Sequence, residues 1–190
     1  MKLGELDVRI WSDADWTGDR VDQKSTSGSI LAINGRPVAS SSKKQAVVAI
    51  STMEAEFIAG AMSVSECRWI RKLLMELLHV VIVPSIMSDN QSTIRTMKNE
   101  MMSTAAKHIA LRYHFIKDEI TKGLVNVKWC PSKDQLADIL TEDISRQTYE
   151  VLRCQLHVVN VSLKSRIHRG QGKCCRSTAA GKRYVDDISS

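Results

Sequence analysis

The apolar residues change period at position 51, and that change limits the folds open to this chain. Before it they fall in short strand-like runs, the first alternating and the later ones continuous. In LDVRIW, Leu6, Val8 and Ile10 alternate with Asp7 and Arg9, as on a half-buried strand. GSILAINGRPVAS surrounds Asn34-Gly35, a strong tight-turn signal. AVVAI at 46–50 reads as a third strand, reached through a polar SSSKKQ turn. Three strands on short connections predict an antiparallel meander. From Ser51 on the spacing becomes helical. Ile58, Met62, Trp69, Leu73 and Leu77 mark one long helix, interrupted at Glu66. Ser51 and Glu54 match the S-x-x-E capping box at its start. The methionines and tryptophan of this stretch suit a core better than a ligand set.

Strands and helices then alternate. HVVIVPSIMS is β-branched and suits a buried central strand parallel to the first. Residues 90–98 predict a short helix, and KHIALRYHFIKDEITKG a second one stopped by Gly123. LVNVKWC alternates as a strand. SKDQLADILTEDISRQTYEVLRC reads as a last helical region, with Ser132 or Asp134 as its cap. The order βββ-α-β-α-α-β-α predicts an α/β domain with a mixed sheet.

Charge divides the chain. Residues 1–162 hold 20 basic and 19 acidic residues, a net of +1, whereas residues 163–190 hold 7 and 2, a net of +5. The expected organisation is one domain over residues 1–160 and a basic, disordered or loosely ordered tail over 161–190. Cys174, Cys175 and His168 in the tail lack a zinc spacing. No apolar run reaches the length of a membrane span, and the N-terminus has no apolar signal region. Five cysteines without repeated spacing fit a reducing, intracellular compartment better than a disulfide framework.

The acidic residues carry the chemistry. Asp13 closes the first strand in SDADWTGDR, and Asp89 closes HVVIVPSIMS. On adjacent strands they would meet at one edge of the sheet, where ligands of α/β folds bind. Glu54 is taken by the cap, which leaves Glu56 free to face the sheet. Asp138 lies among apolar neighbours in LADIL. Carboxylates brought together repel one another, and a hard divalent cation relieves that repulsion. All-oxygen ligands without a Cys/His set suit magnesium or manganese. Taken one by one, the same acids also read as ordinary turn residues and separate surface charges.

Taken together, SDADWTGDR, KSTSGSILAINGRPVASSSKKQAVVAISTMEAEFIA, SDNQSTI, KHIALRYHFI and DQLADIL closely resemble the ribonuclease H domain of copia-type retrotransposon Pol polyproteins. The resemblance runs from about residue 6 to about residue 153, with the motifs in family order. It implies an RNase H-like fold, in which a five-stranded mixed sheet of three antiparallel and two parallel strands is flanked by helices. It also implies endonucleolytic cleavage of the RNA strand of RNA–DNA hybrids, two Mg2+ or Mn2+ ions, and a reverse transcriptase domain in the parent polyprotein. Such a protein works in the cytoplasm, a virus-like particle or the nucleus. The family's four metal-binding, catalytic carboxylates map onto Asp13, Glu56, Asp89 and Asp138, with Asp15, Glu54 and Asp134 as neighbouring alternatives. Asp13 and Asp138 would share one ion, and Asp13, Glu56 and Asp89 the other.

Contacts to the hybrid are expected from Ser27, Ser29 and Gln91 on 2′-hydroxyls and from Lys43 and Lys44 on phosphates. His108 and His114 fit partly buried hydrogen-bonding positions better than catalytic ones. The chain departs from the family pattern at Ala110, at STAAKH, and at Glu142 and Asp143. These departures keep two other readings in view. One is an inactive remnant of a mobile element, and the other is a nucleic-acid-binding module that uses the basic tail.

Overall fold

The computed structural model describes residues 6–18, 21–98 and 107–158, and of residues 107–110 the backbone alone. The expectations for the tail, for Cys174, Cys175 and His168, and for the side chains of His108 and Ala110 lie outside the described residues. Among those described, no helix is long and apolar enough to cross a membrane.

Five strands form one sheet: β1 (Val8–Ala14), β2 (Thr26–Ile33), β3 (Arg36–Lys44), β4 (Ser85–Ser88) and β5 (Asn126–Trp129). They lie in the order β3-β2-β1-β4-β5. β1, β2 and β3 pair antiparallel, while β4 pairs parallel with β1 and β5 parallel with β4. This is the mixed sheet of three antiparallel and two parallel strands expected from the sequence. The helices are α1 (Thr52–Leu78), α2 (Gln91–Lys98), α3 (Lys107–Thr121), α4 (Asp138–Thr141) and α5 (Arg146–Gln155).

Local chemistry accounts for the boundaries. Asn34 and Gly35 both have positive φ, 51° and 73°, as a two-residue hairpin turn requires. Ser51 Oγ accepts the Glu54 amide at 3.2 Å, and Glu54 Oε2 accepts the Ile50 amide at 2.9 Å, one residue before the position a strict capping box would use. Gly123, at φ 66°, follows the end of α3.

Three expectations are corrected. AVVAI is no strand: the third strand is Arg36–Lys44 and absorbs the SSSKK expected to turn. Gln45 ends it by turning its amide inward, to Ser27 Oγ at 2.8 Å and the Ala55 carbonyl at 2.9 Å. HVVIV is not a buried strand either. Only Ser85–Ser88 pairs, and Val81 is 79% exposed, because β1 offers partners to β4 only from Arg9 to Trp11. The last helical region is broken into a 3-10 turn at Ser132–Asp134, α4 and α5, and α5 is capped by Ser145, not by Ser132 or Asp134.

The two faces of the sheet carry separate cores. Val8, Ile10, Leu31, Ile86 and Val127 pack with Phe57, Val64 and Ile70 of α1 and with Tyr113 and Ile116 of α3. Phe57 and Tyr113 stack with ring centroids 6.4 Å apart. Glu119 on α3, buried, is paired with Arg68 at 3.4 Å and Arg71 at 3.2 Å, which joins α3 to α1. On the other face Trp11, Ile30 and Ala32 pack with Leu136, Ala137 and Leu152. Successive residues of β1 point to opposite faces. Asp13 therefore follows Trp11 towards α4.

Candidate active site

Asp13, Glu56 and Asp89 meet at the carboxyl ends of β1 and β4. One oxygen from each lies within 4.8 Å of the others. β1 and β4 are parallel neighbours, so their ends carry Asp13 and Asp89 to one edge. Glu56 arrives from the first turns of α1, whose start is fixed by Ser51 and Glu54. Asp13 and Glu56 are buried.

The electrostatics are those of crowded acids. Burial pushes the Glu56 carboxyl up to about 10, and the charges of Asp13 and Asp89 add to the shift. Burial likewise raises Asp13, while hydrogen bonds from Thr141 and Glu56 pull part of the way back. Asp138, half-buried at the start of α4, is raised to about 8, first by burial and then by the charges of Asp13 and Glu142. Asp138 therefore shares the electrostatic field of the cluster, although it is not among the three that converge within 4.8 Å. Among the described residues no lysine or arginine forms an ion pair with any of the four. An all-oxygen donor set with unbalanced negative charge fits a hard divalent cation. Asp13, Glu56 and Asp89, with Asp138 beside them, are the residues that could hold it.

The neighbouring acids are occupied elsewhere. The Asp15 carboxylate accepts the Thr26 amide of the adjoining strand. Glu54 closes the helix cap. Asp134 sits in the 3-10 turn and is not among the converging three.

Contacts expected with nucleic acid divide. Ser27 and Ser29 are buried. Ser27 Oγ accepts from Gln45, and Ser29 donates to Glu66 Oε1 at 2.9 Å. Their place on β2 under α1 withdraws them from any surface. Lys43 and Gln91 are exposed, and Lys44 pairs with Asp22 at 2.9 Å. His114 is exposed on α3, not partly buried.

The sequence reading missed the groups that hold the acids in place. Thr141 donates its hydroxyl to Asp13 Oδ2. Ser132 donates to Asp89 Oδ2 at 2.7 Å. The Trp129 indole N–H donates to the Asp89 carbonyl at 3.2 Å. Gln135, fully buried, donates its amide to the Ser12 carbonyl at 3.0 Å, beside Asp13. A glutamine directly before the apolar pair Leu136-Ala137 was the available signal, because so polar a side chain within an apolar stretch needs a partner.

No family model matches the chain. Curated relatives do. Over 161 residues it is 38% identical to the retrovirus-related Pol polyprotein from transposon RE1 of Arabidopsis thaliana, covering 84% of this chain and 11% of the relative. Over 147 residues it is 34% identical to the corresponding polyprotein from transposon TNT 1-94 of Nicotiana tabacum, covering 77% and 11%. The chain thus spans about a tenth of the length of these relatives. Among solved structures it is similar to LC11-RNase H1 from a compost metagenome, with a TM-score of 0.54 and 14% identity over 71% of this chain and 92% of that one. The same enzyme in complex with an RNA/DNA hybrid matches with a TM-score of 0.52 and 14% identity, covering 71% and 94%. These neighbours establish the RNase H-like fold.

Proposed function

Since the chain belongs with the retrovirus-related Pol polyproteins of transposons, as their ribonuclease H-like segment, we propose that it hydrolyses the RNA strand of RNA–DNA hybrids with the help of divalent metal ions. One observation carries the reading. Three carboxylates converge within 4.8 Å at the end of two parallel strands, with no cation from the described protein to balance them. The solved neighbour bound to a hybrid supports the substrate class through the fold it shares.

The residues divide the work. Asp13 and Asp138 would hold one Mg2+ or Mn2+ ion, and Asp13, Glu56 and Asp89 the second. Such ions, when bound, supply an activated water and a sink for charge on the leaving 3′-oxygen. Glu56 must first give up the proton that burial keeps on it and that it shares with Asp13. The exposed Lys43 suits a phosphate, and Gln91, at the start of α2, suits a 2′-hydroxyl in the shallow groove of the hybrid. Lys44 reaches a phosphate only by leaving Asp22. The products would be 5′-phosphate and 3′-hydroxyl ends. In the parent polyprotein a reverse transcriptase would deliver the substrate.

A second reading is a folded relic that binds metal and cleaves poorly. Glu142 favours it. Burial, and then the charges of Asp13 and Asp89, raise its carboxyl, so it adds a further acid to the cluster that an anionic substrate would have to approach.

The test is cleavage of a labelled RNA–DNA hybrid with Mg2+ or Mn2+, with Asp89→Asn as control and duplex DNA as comparison substrate. Cleavage by the parent chain and none by the variant is the expected result. Metal binding without cleavage by the parent chain selects the relic.

A further inference from the structure

Two of the clustered carboxylates are held by neutral hydroxyls from one short segment. Thr141 Oγ1 donates to Asp13 Oδ2, and Ser132 Oγ donates to Asp89 Oδ2 at 2.7 Å. The same Thr141 hydroxyl lies 3.3 Å from the Ala137 carbonyl, and its contact to Asp13 is the shorter. Between these two donors Gln135 fastens the segment to β1 through the Ser12 carbonyl at 3.0 Å. Asp138 lies on the same stretch. Ser42 on β3 closes it from outside by donating to the Leu140 carbonyl at 3.1 Å.

The chemistry of the donors matters. Carboxylates that repel one another turn apart unless something fixes their rotamers. A lysine or arginine would fix them but would also neutralise them and compete with a metal ion. A hydroxyl fixes one oxygen and leaves the charge and the second oxygen available. Partners of this kind orient ligands and tune metal affinity.

We propose that Thr141 and Ser132 are positioning residues that aim Asp13 and Asp89 at the metal, and that Gln135 sets their distance from β1. This rests on the metal-dependent reading of the site. The segment Ser132–Thr141 acts as one clamp, so loosening either hydroxyl weakens metal binding before it weakens the fold.

Mn2+ binding to the full chain, followed by calorimetry alongside thermal unfolding without metal, tests this. Thr141→Val should lose about tenfold to a hundredfold in Mn2+ affinity. Thr141→Ser should keep the parent's affinity, because it keeps the donor. Ser132→Ala, at the exposed start of the 3-10 turn, should also lose about tenfold. If Thr141→Val unfolds, the Ser132 variant decides alone. Parent affinity in Ser132→Ala and in a folded Thr141→Val overturns the proposal, as does a Thr141→Ser as weak as the valine variant. A parent chain whose Mn2+ binding is absent, or is unaffected by Asp89→Asn, overturns both the clamp and the metal-dependent reading. Metal binding that depends on the clamp without hybrid cleavage leaves the clamp standing and removes only the nuclease.

Discussion

Gly28 and Thr141 are so closely opposed that a Cβ added to Gly28 would stand 2.6 Å from Thr141 Cγ2 and 3.2 Å from the Ala137 carbonyl. Gly28 pairs with Asp13 across β1 and β2. The absence of a side chain there lets α4 lie directly on the sheet, and Thr141 reaches Asp13 as a result. Gly28→Ala should push α4 outward. The expected cost is about 1–3 kcal/mol in urea unfolding, together with weaker Mn2+ binding. An unchanged midpoint and unchanged binding would mean that α4 yields freely at this contact.

The acids should make the metal-free chain sensitive to alkali. Glu56 is held near 10 against an ordinary 4.5, and Asp138 near 8 against 3.8. Between these values the folded chain keeps protons that the unfolded chain has lost. The stability this contributes is full below about pH 4 and is lost as pH rises, through about 8 for Asp138 and about 10 for Glu56. The midpoint of thermal unfolding without metal should therefore fall from pH 5 to pH 9, and saturating Mg2+ should flatten the fall. A midpoint that rises over this range would contradict the burial of Glu56.

Glu56→Gln removes the buried acid and keeps its shape. In metal-free solution at pH 8 it should stabilise the chain by on the order of 2 kcal/mol, well below the full worth of the shift. The same substitution should abolish hybrid cleavage. Opposite signs for stability and activity, measured on one variant, would mark Glu56 as a residue kept for chemistry at the expense of the fold.

Ser51→Ala should cost about 1 kcal/mol, because the Glu54 amide loses its acceptor at the start of α1. Glu56 lies two residues further on, so fraying there should also lower Mn2+ affinity. Urea unfolding and calorimetry on the same variant would separate the two effects.

A chain ending at residue 160 should keep hybrid cleavage. All four candidate carboxylates and both described cores lie before that point. Removing seven basic and two acidic residues should reduce the salt dependence of hybrid binding. Binding that vanishes with the tail would assign it to residues 161–190.

The parts of the fold legible in the sequence were those governed by local chemistry. The alternation in LDVRIW, the Asn34-Gly35 turn, the Ser51–Glu54 cap and the stop at Gly123 each declare themselves within a few residues. The sequence also placed Asp13 and Asp89 within one residue of the ends of β1 and β4. The misread pieces depended on partners far along the chain. AVVAI is a continuous, partly β-branched apolar run, as in a buried strand, yet its Ala49 joins a small cluster with Ala55 and Ile58 at the start of α1. HVVIV has the composition of a buried strand, yet β1 leaves it nothing to pair with. Ser27 and Ser29 looked like surface hydroxyls because nothing in a polar-rich strand announces that α1 will cover it. Ser132 and Thr141 carry no motif, and their roles exist only once the chain has brought them to Asp89 and Asp13.

That distance along the chain has a consequence for biosynthesis. The Gln135 amide and the Ser12 carbonyl are separated by 123 residues, and Thr141 and Asp13 by 128. Every strand of the sheet has been translated once Trp129 is in place, but the clamp has not. Contacts of such long separation are closed late, after the local ones have formed. A nascent chain would thus carry a finished sheet and an unaimed set of acids until the segment Ser132–Thr141 emerged. A transcript cut short after β5 would yield a body that folds in outline and stays chemically silent.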